Sequence, residues 1–359
     1  MDKLSKPLDS LLTRQWFKLI CGASYQHLPA IRNLALVYTL AGVDCIDMAA
    51  DPAVINAARE GMAIALDLAS SDRARSPSIS SPWVMVSINN GEDPHFRKAE
   101  FDAAHCPDSC DRPCVTACPT HAIRFDKLRE GFSHIGGVQD ELCYGCGRCI
   151  PLCPVQIIQT REQAYALEDI ASTAIDAIEI HTQPWRVEEF RSLWQRLAPL
   201  MGNLKLVAVS FPDCDNLKEY LLELLDCMQP LPPQLIWQTD GRPMSGDIGN
   251  GTTRAALQLC QKVLNMQLPM GFVQLAGGTN ASTVAKLRAA NIKASGIAYG
   301  SYARKLVAEF LEAGGDRLEE YPQLLSLAVK QAQSLVSQIK PSQNQSLITN
   351  LCPTLSADR

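Results

Sequence analysis

The chain has 359 residues, 47% hydrophobic and 20% charged, with a net charge of −5. That balance allows a sizeable core, and slight acidity without a basic block speaks against nucleic acid or anionic membrane as a partner. The start at Met1, Asp2 and Lys3 lacks the apolar run of a secretory signal, and no run of about twenty apolar residues predicts a transmembrane segment. Fourteen cysteines in an oxidising compartment would suggest disulfides, but their spacing here suits metal and so predicts a cytoplasmic protein.

Residues 1–15 read as a polar, helical lead-in. An apolar run at 17–24 predicts a strand, followed by an amphipathic helix at 27–40 that stops near Gly42. A second strand at 45–50 leads to a helix from Pro52 to about residue 69, with proline where a first turn accepts it. A polar linker then precedes a third strand at 83–89. Strict alternation of strands and helices argues for a parallel α/β sheet. It resumes after a cysteine-rich stretch, with strands at 177–182, 204–210, 234–240, 271–278 and 294–300. Helices at 167–174, 187–200, 217–228, 252–266, 283–290 and 303–313 lie before and between them. A last amphipathic helix spans 317–340, and a Ser-, Gln- and Asn-rich tail reads as disordered apart from 347–352.

The cysteine-rich stretch holds two runs of four. The second, Cys143, Cys146, Cys149 and Cys153 before Pro154, has the C-x2-C-x2-C-x3-C-P spacing of bacterial ferredoxins. The first, Cys106, Cys110, Cys114 and Cys118 before Pro119, carries one extra residue in each of its first two intervals. From Cys114 and Cys149 onward the runs align without a gap, as an internal repeat. Zinc is the competing reading, because all-cysteine zinc sites also use C-x2-C pairs; two runs of four with Cys-Pro endings fit iron–sulfur better. Residues 104–160 resemble a two-cluster ferredoxin domain. By that family's crossed ligation, Cys106, Cys110, Cys114 and Cys153 would hold one 4Fe-4S cluster, and Cys143, Cys146, Cys149 and Cys118 the other. The longer first loop predicts a weak corner at Cys110 and a labile first site that can become 3Fe-4S. Arg112 and Arg148 lie within the two runs, where a fixed cation would raise a cluster's potential; solvated loop charge is the plainer reading.

Eight strands each followed by a helix give the count of a (β/α)8, TIM-like barrel, at a length near the roughly 250 residues usual for that fold once the insert is removed. The predicted organisation is 1–90 for the first barrel part, 91–165 for the ferredoxin-like insertion after strand three, 166–316 for the rest of the barrel, and 317–359 for a helix and tail. An open doubly wound sheet, or separate α/β domains flanking the ferredoxin module, is the alternative. In a barrel the insertion falls at the C-terminal face, where active sites sit. Gly277, Gly278, Gly300 and Ser301 follow strands seven and eight, where barrels bind phosphate, so phosphate or FMN is a candidate ligand. Ordinary turn glycines would look the same.

Polar residues at strand ends supply weak catalytic candidates: Asp47, Asn89, His181, Asp213, Asp240 and Gln274, with His181 and Asp240 a conceivable pair. No recognised catalytic motif accompanies them. Cys21, Cys45, Cys227 and Cys260 lie in predicted elements and read as small buried residues; Cys214, just after strand five, is a minor candidate for a reactive thiol.

The whole pattern resembles the cyanobacterial light-dependent period family. The resemblance rests on a divergent cysteine run followed by a regular one in a long α/β chain, on 275–280, and on 297–301. It implies an iron–sulfur protein that reports light-dependent cellular redox state to the circadian clock. The implied partners are clock input and output proteins, namely sensor kinases and the Kai complex, with the quinone pool or another redox partner upstream. The competing function is an iron–sulfur FMN oxidoreductase; a plain electron carrier needs no body of this size.

Overall fold

The computed structural model describes residues 6–340 apart from 72–78, 92, 126–135, 163–169, 171–172, 185, 243–248 and 250. Its strands, in chain order, are β1 (Trp16–Gly22), β2 (Cys45–Ala49), β3 (Trp83–Asn89), β4 (Arg97–Glu100), β5 (Ile123–Phe125), β6 (Gly136–Val138), β7 (Gln159–Glu162), β8 (Ala177–His181), β9 (Leu206–Phe211), β10 (Leu235–Asp240), β11 (Phe272–Ala276) and β12 (Gly296–Tyr299). A closed barrel forms in the order β1, β12, β11, β10, β9, β8, β3, β2, with every neighbouring pair parallel. This is the TIM-like barrel the alternation predicts. It excludes both the open sheet and separate flanking domains, because β3 and β8 pair directly across the insertion.

Alternate strand residues point into the barrel and settle in layers. The floor is apolar: Trp16, Trp83, Met85, Leu206, Ala208 and Ile236 pack together, closed from below by Leu11 of the helix Lys6–Leu12. Trp16 and Trp83 meet edge to face, with centroids 5.6 Å apart, a favoured aromatic geometry. Outside, the helix Leu28–Ala41 is buried along most of its length because the helix Pro52–Ser71 packs closely along it and the final helix, Pro322–Val336, covers it as well. Two expected helices are shorter than predicted, each for a proline. The 317–340 helix begins at Pro322, after the short turn Leu318–Glu320, since the residue before proline is steered away from the α region. The 187–200 helix ends at Leu197 and tightens into the 3-10 turn Ala198–Asn203 around Pro199. Most of the helix expected at 167–174, and all of the tail after Lys340, lie outside the described residues.

The insertion leaves after β3 and returns before β8. Its two ends run side by side as the antiparallel pair β4–β7, with a second hairpin, β5–β6, above them. Its small core joins Ala99, Ala122, Ile123 and Ile158 to Cys114, Cys143, Cys149 and Cys153. Lys98, fully buried, fastens it to the barrel: its ammonium donates to Gln26 Oε1 at 2.6 Å and to the backbone oxygen and Oδ2 of Asp140 at 2.8 and 3.0 Å. Gln26 in turn donates to Asp51 Oδ2 at 2.7 Å. One lysine thereby ties the insert to the loops after β1 and β2. Among the described residues no helix is long and apolar enough to cross a membrane.

Candidate functional site

The cysteines sort into two groups by which thiols act on one another. Burial raises the Cys114 thiol, and Cys153 and Cys106 add to the rise. Burial also raises Cys106, with Cys110 contributing. In the other group, burial lifts Cys149 to about 12, helped by Cys146, Cys143 and Cys118, while burial and then Cys118 and Cys143 raise Cys146. For Cys153, burial works upward but is outweighed by the backbone N–H groups of residues 155–158, so its thiol is lowered.

These residues fit an iron–sulfur group. Backbone N–H groups donate to sulfur from Ala99 to Cys143 at 3.4 Å, Arg112 to Cys110 at 3.4 Å, and Ala122 to Cys118 at 3.3 Å, the kind of contact that tunes cluster potentials. Among the described residues no three cysteine sulfurs lie within 4.8 Å of one another.

The two runs face different surroundings. Around Cys106 and Cys110, residues Pro107, Asp108, Ser109 and Asp111 are exposed, whereas Tyr144, Gly145, Gly147 and Arg148 of the second run are partly covered. The cover is the barrel. Cys146 and Tyr144 line a cavity of about 110 Å³ in its mouth, shared with Gly277, Gly278, Gly300 and Ser301 and with His181 and Asp240. The Arg304 guanidinium lies 4.6 Å from the Tyr144 ring centroid, and Tyr25 meets that ring edge-on at 6.3 Å. Arg112 is stacked 4.0 Å over Phe125, and burial and Cys110 push Cys106 up while Arg112 pulls it down.

The glycine loops reach the mouth, but their conformations have a nearer cause. Gly277 has φ +65, and a Cβ there would lie 2.5 Å from Asp240 Oδ1 and 2.8 Å from the Arg242 nitrogen; at Gly278 it would lie 2.6 Å from the Thr252 oxygen. Close packing between neighbouring loops therefore requires glycine whether or not an anion binds.

Below the mouth lies a buried polar chain that the strand-end reading found only at its edges. Trp16 Nε1 donates to Gln274 Oε1 at 2.6 Å, Gln274 Nε2 to Gln238 Oε1 at 2.6 Å, and Gln238 Nε2 to Glu179 Oε1 at 2.5 Å. Lys18, fully buried, is paired with Glu179 and lies 3.4 Å from Asp47 Oδ2, while Ser87 donates to Asp47 Oδ1 at 2.8 Å. Burial lifts Asp47 to about 8. Burial also works upward on Glu179, but Lys18 outweighs it and holds that carboxylate low. Lys18, Glu179 and Gln238 were missed, and for two of them the signal was present: polar residues two apart in apolar strands, as in Glu179 and His181 or Gln238 and Asp240, mark an inward face.

The remaining candidates scatter. His181 and Asp240 share the cavity, but Asp240 accepts from Ser210 at 3.0 Å while His181 Nε2 lies 3.2 Å from Glu179 Oε1. Asn89 bonds the insertion junction at Gly91 and Glu162. Asp213 is held by exposed Lys262 at 2.6 Å. Burial raises the Cys214 thiol against the pull of Lys262, which argues against an activated nucleophile.

Comparison with known proteins now decides the family. "Light dependent period A" of Synechococcus elongatus is 47% identical over 350 residues, covering 94% of each chain. The chain belongs to the light dependent period A (LdpA) family. Residues 106–164 match the LdpA Fe-S cluster-binding domain and 169–338 the light dependent period A C-terminal domain, so this LdpA-family protein carries an iron–sulfur binding domain, as its motif and resemblance implied. The cysteine region alone is similar to the "Protein NrfC homolog" of Haemophilus influenzae, 37% identical over 67 residues, or 19% of this chain and 28% of that one. Among solved structures, a putative fructose-1,6-biphosphate aldolase from Coccidioides immitis aligns with TM-score 0.41 and 11% identity over 96% of this chain and 98% of that one. The barrel itself is defined by the strand closure above.

Proposed function

We propose that this LdpA-family protein is a redox sensor that relays light-dependent cellular redox state to the circadian clock. Its cysteines hold two iron–sulfur clusters, one on Cys106, Cys110, Cys114 and Cys153 and one on Cys143, Cys146, Cys149 and Cys118. The observation that carries the reading is the placement of Cys146 and Tyr144 in the wall of the barrel-mouth cavity. A bound cluster supplies one-electron chemistry. The backbone donors at Ala99, Arg112 and Ala122, with the guanidinium of Arg112, favour the more negatively charged, reduced state. Exposed residues around Cys106 and Cys110 give an electron donor or oxidant access, and the covered second run passes a change of charge to Tyr144 and Arg304 on the barrel rim. A change of one charge can bias such a rim between two arrangements. Clock input kinases and the Kai complex are the partners this reading names.

The FMN oxidoreductase reading draws on Gly277, Gly278, Gly300 and Ser301 in the same cavity. At about 110 Å³ the cavity is below the roughly 300–1,000 Å³ usual for small-molecule sites, which favours the sensor. Anaerobic protein should be assayed for iron, sulfide and flavin, with EPR and amide hydrogen exchange before and after dithionite. The sensor reading expects two clusters, no flavin, and changed exchange at 104–120 and around Tyr144 on reduction. Stoichiometric flavin, zinc without sulfide, or identical exchange in both states would overturn it.

A further inference from the structure

A second set of metal-ligating side chains stands at the barrel mouth, apart from the cysteines. Asp93 and His95 lie on the short segment that leads from β3 into the insertion, and His181 closes β8, the strand that follows it. Each offers a ligand atom within 4.8 Å of the other two. His95 Nδ1 is 2.6 Å from Asp93 Oδ1, and His181 Nδ1 is 3.9 Å from that same oxygen. The two imidazole rings lie 4.7 Å apart between centroids.

His181 makes this more than a hydrogen-bonded cluster. Its Nε2 faces Glu179 Oε1 at 3.2 Å, and a carboxylate there accepts an N–H, which leaves Nδ1 as a bare lone pair. His181 is 6% exposed, and Nδ1 is buried without a hydrogen-bond partner among the described residues. A buried acceptor with nothing donating to it is costly unless a ligand satisfies it. Asp93 Oδ1, 3.9 Å away, is another acceptor. A cation between them gives His181 Nδ1 its missing partner and adds to the donors that Asp93 Oδ1 already has in His95. The carboxylate behind the imidazole is the outer support that metal-bound histidines almost always have. Asp93 is itself fixed, accepting from the His95 backbone N–H at 2.8 Å and from Gln183 Nε2 at 3.2 Å.

We propose that Asp93, His95 and His181 form a binding site for a divalent transition-metal ion of the zinc and ferrous class. Two imidazoles and one carboxylate suit those ions rather than magnesium or calcium, which favour all-oxygen shells. Three protein ligands leave a position for water or substrate. His95 and His181 both line the mouth cavity, with Asp240 and Cys146 also in its wall, so that position opens into the space beside the second cysteine run. The site is independent of the sensor reading: it needs neither cluster to be redox-active.

Zinc alone is the probe. The full-length protein, reconstituted anaerobically until its cysteine sites are filled and then stripped with a mild chelator, should bind one further equivalent of Zn²⁺. Zinc K-edge absorption should show nitrogen and oxygen neighbours without sulfur. Losing a first ligand should weaken binding by more than the roughly 10- to 100-fold that follows loss of an outer-shell partner. Asp93→Asn and His181→Ala should each do so with iron and sulfide content unchanged. His95 is 19% exposed in its side chain, so His95→Asn decides the matter should a buried variant fail to fold. No added zinc, sulfur among its neighbours, ready displacement by excess Mg²⁺, or wild-type affinity in His95→Asn would overturn the site.

Discussion

The Arg304 guanidinium stands 4.6 Å from the centre of the Tyr144 ring, joining the last barrel helix to the loop between Cys143 and Cys146. Arg304 is not free to drift, because it also donates to the backbone oxygens of Ile20 at 2.9 Å and Cys21 at 3.1 Å and to Ser301 Oγ at 3.2 Å. A fixed cation beside the second run stabilises the more negative state of whatever those thiolates hold. Arg304→Gln should therefore lower the reduction potential of that site by an amount on the order of tens of millivolts, where 59 mV is one tenfold step of a one-electron couple. The other site should move less. An EPR-monitored titration reads both, and an unmoved second site would mean that the rim and the cysteine loop are not electrostatically coupled.

Lys18 is the keystone of the barrel's interior charge. It is fully buried between Glu179 and Asp47, and no solvent can replace it. Lys18→Met should destabilise the fold by about 3–5 kcal/mol, the usual result of stranding a buried charge, as measured by chemical denaturation. Adding Glu179→Gln should recover much of that loss, since the stranded carboxylate is then gone. If the double variant is no better than the single one, the loss lies in packing at Lys18.

The barrel was legible because each strand carries an apolar run and each run is followed by a helix pattern; Cys45 to Ala49 and Leu206 to Phe211 are buried on both faces. The cysteine module was legible because thiolate spacing is local in sequence. Lys18, Glu179 and Gln238 were not, since their meaning depends on which strands adjoin after closure: Lys18 and Glu179 are separated by 161 positions. Asp93 and His95 sit at a junction that reads as linker, and only closure brings His181 over them. Glycines after β11 were recognised as special, yet what demands them is the neighbouring loop at Asp240, Arg242 and Thr252, a contact that no periodicity encodes.

Asp44 gives a pH dependence with a definite sign. It is nearly buried, accepts from the Phe17 backbone N–H at 2.8 Å and from Lys340 at 2.6 Å, and burial nevertheless lifts it from 3.8 to about 6. The folded state thus holds this proton more tightly than the unfolded state. Its contribution is full below pH 3.8 and is lost as pH rises through about 6. At about 1.4 kcal/mol per unit, the loss amounts to at most about 3 kcal/mol. Urea denaturation at a series of pH values should show this decline in the native protein and a flatter profile in Asp44→Asn, which keeps an acceptor for Phe17. Equal slopes would place the pH dependence elsewhere.

The two cysteine runs should respond differently to oxygen. The first has the longer intervals, and Pro107, Asp108, Ser109 and Asp111 around it are exposed, while the second lies under the barrel rim. Cys110 receives the Arg112 backbone N–H at 3.4 Å, but the extra residues on either side give its loop slack that the second run lacks. Brief exposure to air should therefore produce a three-iron EPR signal from the first site while the second stays intact. On the proposed ligation, Cys110→Ser should carry that signal from the outset, because Cys106, Cys114 and Cys153 would remain to hold three corners. Cys146→Ser should instead disturb the barrel mouth, whose cavity that residue lines, and should alter amide exchange around Tyr25 and Arg304. Two clusters equally stable in air would remove the distinction between an exposed, responsive site and a covered, coupling one.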